Sequence, residues 1–361
     1  MVVAGSQRQA VSTNLLRQCE TLRIGRNNLF DLVRLYAAIQ VILTHGRVHL
    51  GWQLPEAIRI FAAFPGVPLF FSISGLLIGL SWIRLRYTWQ VYALHRVLRI
   101  FPALWLCLAS TVLLLLMVGE REFLFSSQGL LWLIAQATAF QFFNPEPLRD
   151  FGVGVVNGSL WTITVELQFY VALPLFLAAA VGARRSPVWL WLLASGALSF
   201  VVWLMLPLLL VHSQVLGKLV QMSLLPHFFQ FLLGLAVVPV LSHFGRRRTI
   251  VALLLLAALL MLMVQIPVIP LSMLQPILWA ALPIGVGLIP WRLSPMPDLS
   301  YGLYLFHMPV INVLIYTGRM GSASVLPFLF AIVPLALISW YLVEKPALAL
   351  KPRLQTLLVN A

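Results

Sequence analysis

Long stretches of apolar side chains, separated by short polar segments rich in arginine, dominate the 361-residue chain. Runs of spanning length lie at about residues 29–50, 60–83, 100–118, 159–181, 188–211, 215–241, 250–268, 272–290, 299–317 and 323–343. An α-helix rises 1.5 Å per residue, so about 20 apolar residues cover the roughly 30 Å hydrocarbon core of a bilayer. The ten runs therefore predict an all-α, polytopic membrane helix bundle. A further run at about 128–143 is shorter and carries Gln128, Gln136 and Gln141. It predicts one re-entrant or interfacial segment rather than a span. Prolines fall within or at the ends of the runs, among them Pro65, Pro68, Pro174, Pro226, Pro283 and Pro309. In a membrane they kink helices and free backbone groups that neighbouring helices must satisfy, which suits a bundle packed around a cavity.

Composition closes off the soluble alternatives. Hydrophobic residues make up 61% of the chain and charged residues 9%, against about a quarter charged in ordinary soluble domains. The net charge of +14 sits mostly on arginines between the apolar runs. Membrane topology explains that pattern before nucleic acid does, because cytoplasmic loops are enriched in Lys and Arg. With ten spans and a cytoplasmic N-terminus, the clusters Arg84/Arg86/Arg96/Arg99, Arg184/Arg185, Arg246/Arg247/Arg248 and Lys345/Lys351/Arg353 all fall on the cytoplasmic side. Counting 128–143 as a span would move Arg184, Arg185 and every later cluster outside. Residues 1–27 then form a basic cytoplasmic segment, 28–346 a single membrane domain and 347–361 a cytoplasmic tail. The first 26 residues hold four arginines and no long apolar stretch, so they do not resemble a cleavable signal peptide. Neither Cys19, in the polar N-terminal segment, nor Cys107, inside an apolar run, is placed for an extracellular disulfide.

Ionisable residues inside spans are costly and normally face a protein interior or a wet cavity. In the first run Asp31, Arg34 and His45 interrupt the apolar pattern. Arg34 and His45 share a helical face about 16 Å apart, and Asp31 is spaced to pair with Arg34. The alternative for Asp31 and Arg34 is an interfacial ion pair, and for His45 a snorkelling side chain. Glu166 has no Lys or Arg within a turn and needs a partner from elsewhere, as either a structural or a catalytic carboxyl. Tyr170 lies one turn on, and Trp161 at the start of the run reads as an interfacial aromatic or a binding platform. Ser300, Tyr304 and His307 fall at i, i+4 and i+7, one stripe of a helix that serves as an interhelical seam or a site. Arg96 and Arg99 put two guanidinium forks on one side of a helix, either a topology anchor or a grip for phosphate. Small residues at 72, 74, 75 and 79 allow another helix or a ligand to approach closely.

Taken together, these residues resemble the membrane-bound acyltransferase-3 family, whose members O-acylate surface polysaccharides, lipopolysaccharide and related glycans. The resemblance runs from about Asn28 to Pro346. It rests on Asp31-x-x-Arg34 with Arg34-x10-His45, Phe70 to Ile78 with Ser74-Gly75, Arg96-x-x-Arg99, Trp161-Thr162 with Glu166 and Phe169-Tyr170, Leu299-Ser300-Tyr301 with Tyr304 and His307, and Val343-Glu344-x-Pro346. It implies an enzyme of the bacterial inner membrane that uses acyl-coenzyme A, in particular acetyl-coenzyme A, as cytoplasmic co-substrate, and no metal. His45 is then the central catalytic residue, with Glu166, Arg34 and Asp31 around it. Arg96, Arg99, Ser74 and Tyr301 would serve the donor, and Trp161, Tyr170, Tyr304 and His307 the carbohydrate or glycolipid acceptor. Larger family members carry a hydrolase-like domain after the membrane part, which this sequence lacks; the resemblance therefore leaves the acceptor open, since in some systems a periplasmic partner protein completes the reaction. The partners expected are thus the lipid bilayer, the glycan acceptor and that protein, with no nucleic acid. Imidazole can act as general base or as acyl carrier in such a transfer. A transporter or flippase of an anionic or glycan substrate is the rival reading, since intramembrane charges and broken helices serve transport equally.

Overall fold

A computed structural model describes residues 28–85, 88–182, 187–264, 275–291 and 297–360. The topology arguments from Arg86, Arg184 and Arg185 lie outside the described residues. The helices are α1 (Phe30–Leu50), α2 (Glu56–Phe61), α3 (Gly66–Arg84), α4 (Trp89–Met117), α5 (Arg121–Leu124), α6 (Ser127–Ala137), α7 (Trp161–Gly182), α8 (Val188–His212), α9 (Gln214–Gln221), α10 (Phe228–Val264), α11 (Gln275–Gly287), α12 (Ser300–Tyr316), α13 (Val325–Ile338), α14 (Lys345–Ala349) and α15 (Lys351–Asn360). Among the described residues six stretches are long and apolar enough to cross a membrane: Gly66–Arg84, Trp89–Met117, Gly158–Ala180, Val188–His212, Phe228–Met263 and Gly321–Leu358. The protein is an integral membrane protein, and its described residues make an all-α fold.

Helices here follow the apolar runs closely, with two informative breaks. The run at 215–241 contains two helices, α9 and the start of α10, separated by residues 222–227. Helical dihedrals also fail at Gly245 (φ 77°, ψ 166°), so α10 is two helices laid end to end, and only a residue without Cβ tolerates that backbone at low cost. The short run at 128–143 gives α6, eleven residues long, about 16 Å and half a bilayer core. Beyond it the backbone is irregular and the glutamines satisfy it: Gln136 Nε2 donates to the Gln141 and Phe143 carbonyls, each at 3.2 Å.

The chain packs as two units. One comprises the described parts of residues 1–33, 68–92 and 168–294. Its centre is the meeting of α3 and α10. A Cβ at Gly75 would collide with the Phe231 carbonyl, and one at Gly234 with the Ser72 carbonyl. The two backbones therefore touch at reciprocal glycines, the close approach expected of small residues between membrane helices. Phe231 stacks on Phe169 (ring centroids 4.0 Å apart) and on Phe71 (4.7 Å). Gln168 holds the break before α10, donating to Met222 O and accepting from Leu224 N, while Ser199 accepts from Phe229 N. Pro174 in α7 can offer no N–H to Tyr170 O four residues back; that carbonyl instead accepts from the Tyr92 hydroxyl at 3.2 Å. Arg246 donates to Leu288 O beyond the end of α11, where a cation suits the exposed carbonyls.

The other unit comprises the described parts of residues 34–67, 93–167 and 295–361. Within it, Gln40 of α1 staples the chain at the start of α3, accepting from Gly66 N (2.6 Å) and donating to Ala62 O (3.0 Å). Gly302 of α12 lies against Ala336 of α13. After α13, residues Ser339–Glu344 form a wide π-type turn, and α14 and α15 carry the chain on to Asn360. Asn312 of α12 is buried and holds the irregular segment after α6. It accepts from Val153 N (2.9 Å) and donates to the Val155 and Val156 carbonyls at 3.0 and 2.8 Å.

Candidate active site

The polar stripe read from the sequence lies along α12 in this second unit, with Ser300, Tyr304 and His307 all buried. Just ahead of the helix stands Asp298, an acid at a helix N-terminus where the macrodipole favours negative charge. Its Oδ1 accepts from Ser300 Oγ at 2.6 Å. Its Oδ2 takes Arg99 Nη2 at 2.7 Å, and Arg34 Nη1 approaches the same oxygen to 3.9 Å. Burial alone would raise the Asp298 carboxyl, but the Arg99 and Arg34 charges and the Ser300 and Arg99 hydrogen bonds together hold it well below the usual carboxylate range. Arg99 reaches a second acid, with Nη1 3.7 Å from Glu344 Oε2. Glu344 is anchored in turn by Ser339 Oγ, five residues back across the wide turn, at 2.8 Å. Tyr301 completes this end: its ring lies 5.7 Å from the Arg99 guanidinium carbon and its hydroxyl donates to Ile100 O at 3.0 Å.

Farther along α1, about three turns from Arg34, His45 Nδ1 lies 2.9 Å from His307 Nε2. His307 Nδ1 lies 2.7 Å from Tyr304 O. A carbonyl can only accept, so His307 Nδ1 carries the proton. In the neutral ring Nε2 is then bare and must accept. The proton between the rings therefore belongs to His45 Nδ1, which leaves His45 Nε2 with an unshared lone pair. One backbone carbonyl thus assigns the tautomer of a ring two residues away in the chain of bonds. His307 is fully buried; His45 is partly exposed, with Met308 Sδ 3.0 Å from its Nδ1 and His49 edge-on at 5.6 Å between centroids.

Loop residues hold this end of α12 through a proline. Pro309 offers no N–H to Leu305 O, and that carbonyl takes instead Asn157 Nδ2 at 2.8 Å and Cys107 Sγ at 3.4 Å. Asn157 Oδ1 accepts from Ser159 Oγ. The Tyr304 hydroxyl donates to Ser159 O at 2.9 Å and lies 2.6 Å from Thr162 Oγ1. Glu166, on the following turn of α7, acts electrostatically on both Tyr301 and Tyr304.

Of the residues singled out in the sequence, Arg34, His45, Arg96, Arg99, Trp161, Glu166, Tyr301, Tyr304 and His307 fall in this unit, whereas Asp31, Ser74 and Tyr170 belong to the other. Asp31 is exposed and Tyr170 buried. Sequence reasoning missed Asp298, one residue before the apolar run of α12, and the asparagines Asn157 and Asn312. Each left a signal: an acid at a helix start, an Asn just ahead of a span, and an amide inside one.

A family model described as an acyltransferase domain matches residues 27–344. The chain belongs to the acyltransferase-3 family. Nodulation protein 10 of Rhizobium leguminosarum bv. viciae is 30% identical to it over 91% of this chain and 95% of its own length. The O-acetyl transferase of Shigella phage Sf6 is 32% identical over 40% of this chain and 44% of its own length. A Bacillus subtilis (strain 168) protein provisionally named a peptidoglycan O-acetyltransferase is 25% identical over 43% of this chain and 24% of its own length. No solved structure matches. Membership of this family makes the protein an acyltransferase, so the transporter reading falls away.

Proposed function

We propose that this acyltransferase moves an acetyl group from cytoplasmic acetyl-coenzyme A to a hydroxyl of a cell-surface glycan or glycolipid, with His45 as general base. The observation that carries the proposal is the bond sequence from His45 Nδ1 to His307 Nε2 and from His307 Nδ1 to Tyr304 O, because it leaves His45 Nε2 ready to accept a proton. As the acceptor oxygen attacks the thioester carbon, its proton passes to His45 Nε2. Collapse of the tetrahedral intermediate breaks the carbon–sulfur bond, and the departing thiolate takes that proton back. His45 keeps its Nδ1–H bond to His307 throughout, so the imidazolium forms already oriented. Arg34, about 16 Å nearer the other end of α1, lies towards the donor phosphates, a separation suited to a long pantetheine arm. Two matched relatives are named O-acetyl transferases, one of them for peptidoglycan, which supports a glycan acceptor here.

Substituting His45→Ala tests the assignment. Acetylation of envelope glycans, read by mass spectrometry, should fall by about 100- to 10,000-fold while the protein stays inserted and binds coenzyme A. Near-normal acetylation would remove His45 from the mechanism. Acetyl-imidazole trapped on His45 in the absence of acceptor would replace the general base with a covalent carrier.

A further inference from the structure

His45 Nδ1 faces two atoms of α12 at once, His307 Nε2 at 2.9 Å and Met308 Sδ at 3.0 Å. Two imidazole nitrogens and a thioether sulfur therefore surround one point, and each can donate a lone pair to a metal ion once the shared proton leaves. The outer partner is also in place. A metal-bound histidine almost always gives its other ring N–H to a carbonyl or carboxylate, and His307 Nδ1 already gives its own to Tyr304 O at 2.7 Å. Two nitrogens each about 2.0 to 2.1 Å from an ion stand about 3.3 to 3.4 Å apart at the tetrahedral angle. From 2.9 Å the rings must part by only about 0.4 to 0.5 Å, which a small χ rotation of the partly exposed His45 supplies. Among the described residues no three His, Cys, Asp or Glu side chains are grouped to hold a metal ion; the third donor here is a thioether. Thioethers select soft ions, Cu(I) among them, and imidazole suits copper too.

We propose that His45, His307 and Met308 form a binding site for Cu(I), and that the ion there shuts the enzyme off. It is an inhibitor's site, not a cofactor's. The site stands on the three donor atoms; the loss of turnover rests on the reading of His45 as general base. When the ion takes the Nδ1 lone pair, the Nδ1 proton leaves to water and Nε2 takes one up, so the proton count is unchanged and no electron moves. His45 is then locked in the opposite tautomer, with an N–H where the acceptor hydroxyl needs a lone pair.

Full-length protein in nanodiscs is loaded with Cu(I) under ascorbate, and affinity is read by competition with bicinchoninate. Wild type should hold an ion whose X-ray absorption spectrum shows two nitrogen neighbours and one sulfur. Met308→Leu, nearly equal in volume and so expected to fold, should lose the sulfur neighbour and at least tenfold in affinity, since even the loss of an outer-shell partner costs about 10- to 100-fold. His307→Gln should lose the ion, and the turnover it retains should be indifferent to copper. Wild-type turnover should stop on loading and return with a chelator. No competition-resistant ion in wild type, or equal affinity in Met308→Leu, overturns the site and leaves the base reading standing. Loss of the ion in His49→Gln but not in Met308→Leu moves it to the exposed imidazoles and overturns the site equally. An ion held by all three donors with turnover undiminished upholds the site, overturns the shut-off and removes His45 as general base.

Discussion

Removing His307 tests the tautomer argument more sharply than removing His45, because His307 acts only through its neighbour. In His307→Ala the Nδ1–H of His45 loses its acceptor at 2.9 Å, and the ring is free to turn or to shift its proton to Nε2, where it cannot serve as base. Positive charge develops on His45 in the transition state, so the lost bond is a charge-assisted one, about 1.5 to 3 kcal/mol. At about 1.4 kcal/mol per decade this predicts a fall in kcat of roughly 10- to 100-fold. His45→Ala should cost more, since it removes the base itself. His307→Gln should recover part of the rate, because an amide oxygen accepts from Nδ1 while its NH2 can face Tyr304 O. The assay is coenzyme A release by reconstituted protein given an envelope glycan extract, with kcat and KM determined separately. The donor KM should stay put, as His307 lies at the far end of the site from the arginines. Two results would refute the reasoning: full activity in His307→Ala, or a glutamine variant no better than alanine despite normal folding.

Three further outcomes follow from contacts already described. Asp298→Asn leaves Arg34 and Arg99 facing a neutral amide, and breaking such a partly buried pair should cost on the order of 3 kcal/mol, read as a lower melting temperature in detergent. Because the native Asp298 carboxyl is held low, its contribution is intact above the ordinary carboxylate pKa of about 4 and is lost as pH falls through the native value. The melting-temperature gap between wild type and Asp298→Asn should therefore narrow below pH about 4. Gly234→Leu forces a side chain onto the Ser72 carbonyl and should destabilise the protein by about 1 to 3 kcal/mol or block its assembly; a variant as stable as wild type would disprove the close helix contact. Asn312→Ala removes three hydrogen bonds to residues 153–156, so amide exchange there should quicken by more than tenfold, while exchange in α8 is unchanged.

Hydrophobic length made the helices legible, since nothing else in so apolar a chain can satisfy backbone groups in lipid. The periodic stripe Ser300, Tyr304, His307 was legible for the same reason: a helix maps spacing onto a face. Breaks were harder to see. Residues 222–227 sit inside the apolar run at 215–241; Pro226 marks a break there, but the partners that satisfy the opened backbone, Gln168 and Ser199, come from other elements. The site divided along the same line. His45 was legible by its cost in hydrocarbon, but the ring that orients it is 262 positions away, a separation no local pattern reveals. Asp298 was not legible by that cost, because this acid stands one residue outside the apolar run of α12. Arg99, whose spacing from Arg96 left a topology anchor and a phosphate grip both open, also pairs with Asp298 and Glu344, two carboxylates that only packing brings to it.

The reciprocal glycines of α3 and α10 also bear on how such a chain is made. Their contact joins segments separated by roughly 160 residues, a wait of about 8 to 30 s at ordinary rates of synthesis. Through that interval α3 must reside in the bilayer with its glycine groove facing lipid, before the helix that fits it has left the ribosome. The reciprocity then confers an error check: a slip of one residue along either helix brings a side chain beneath a carbonyl, so a misregistered pair cannot close. Late variants in α10 should consequently act on yield from the insertion machinery more than on the turnover of molecules that mature.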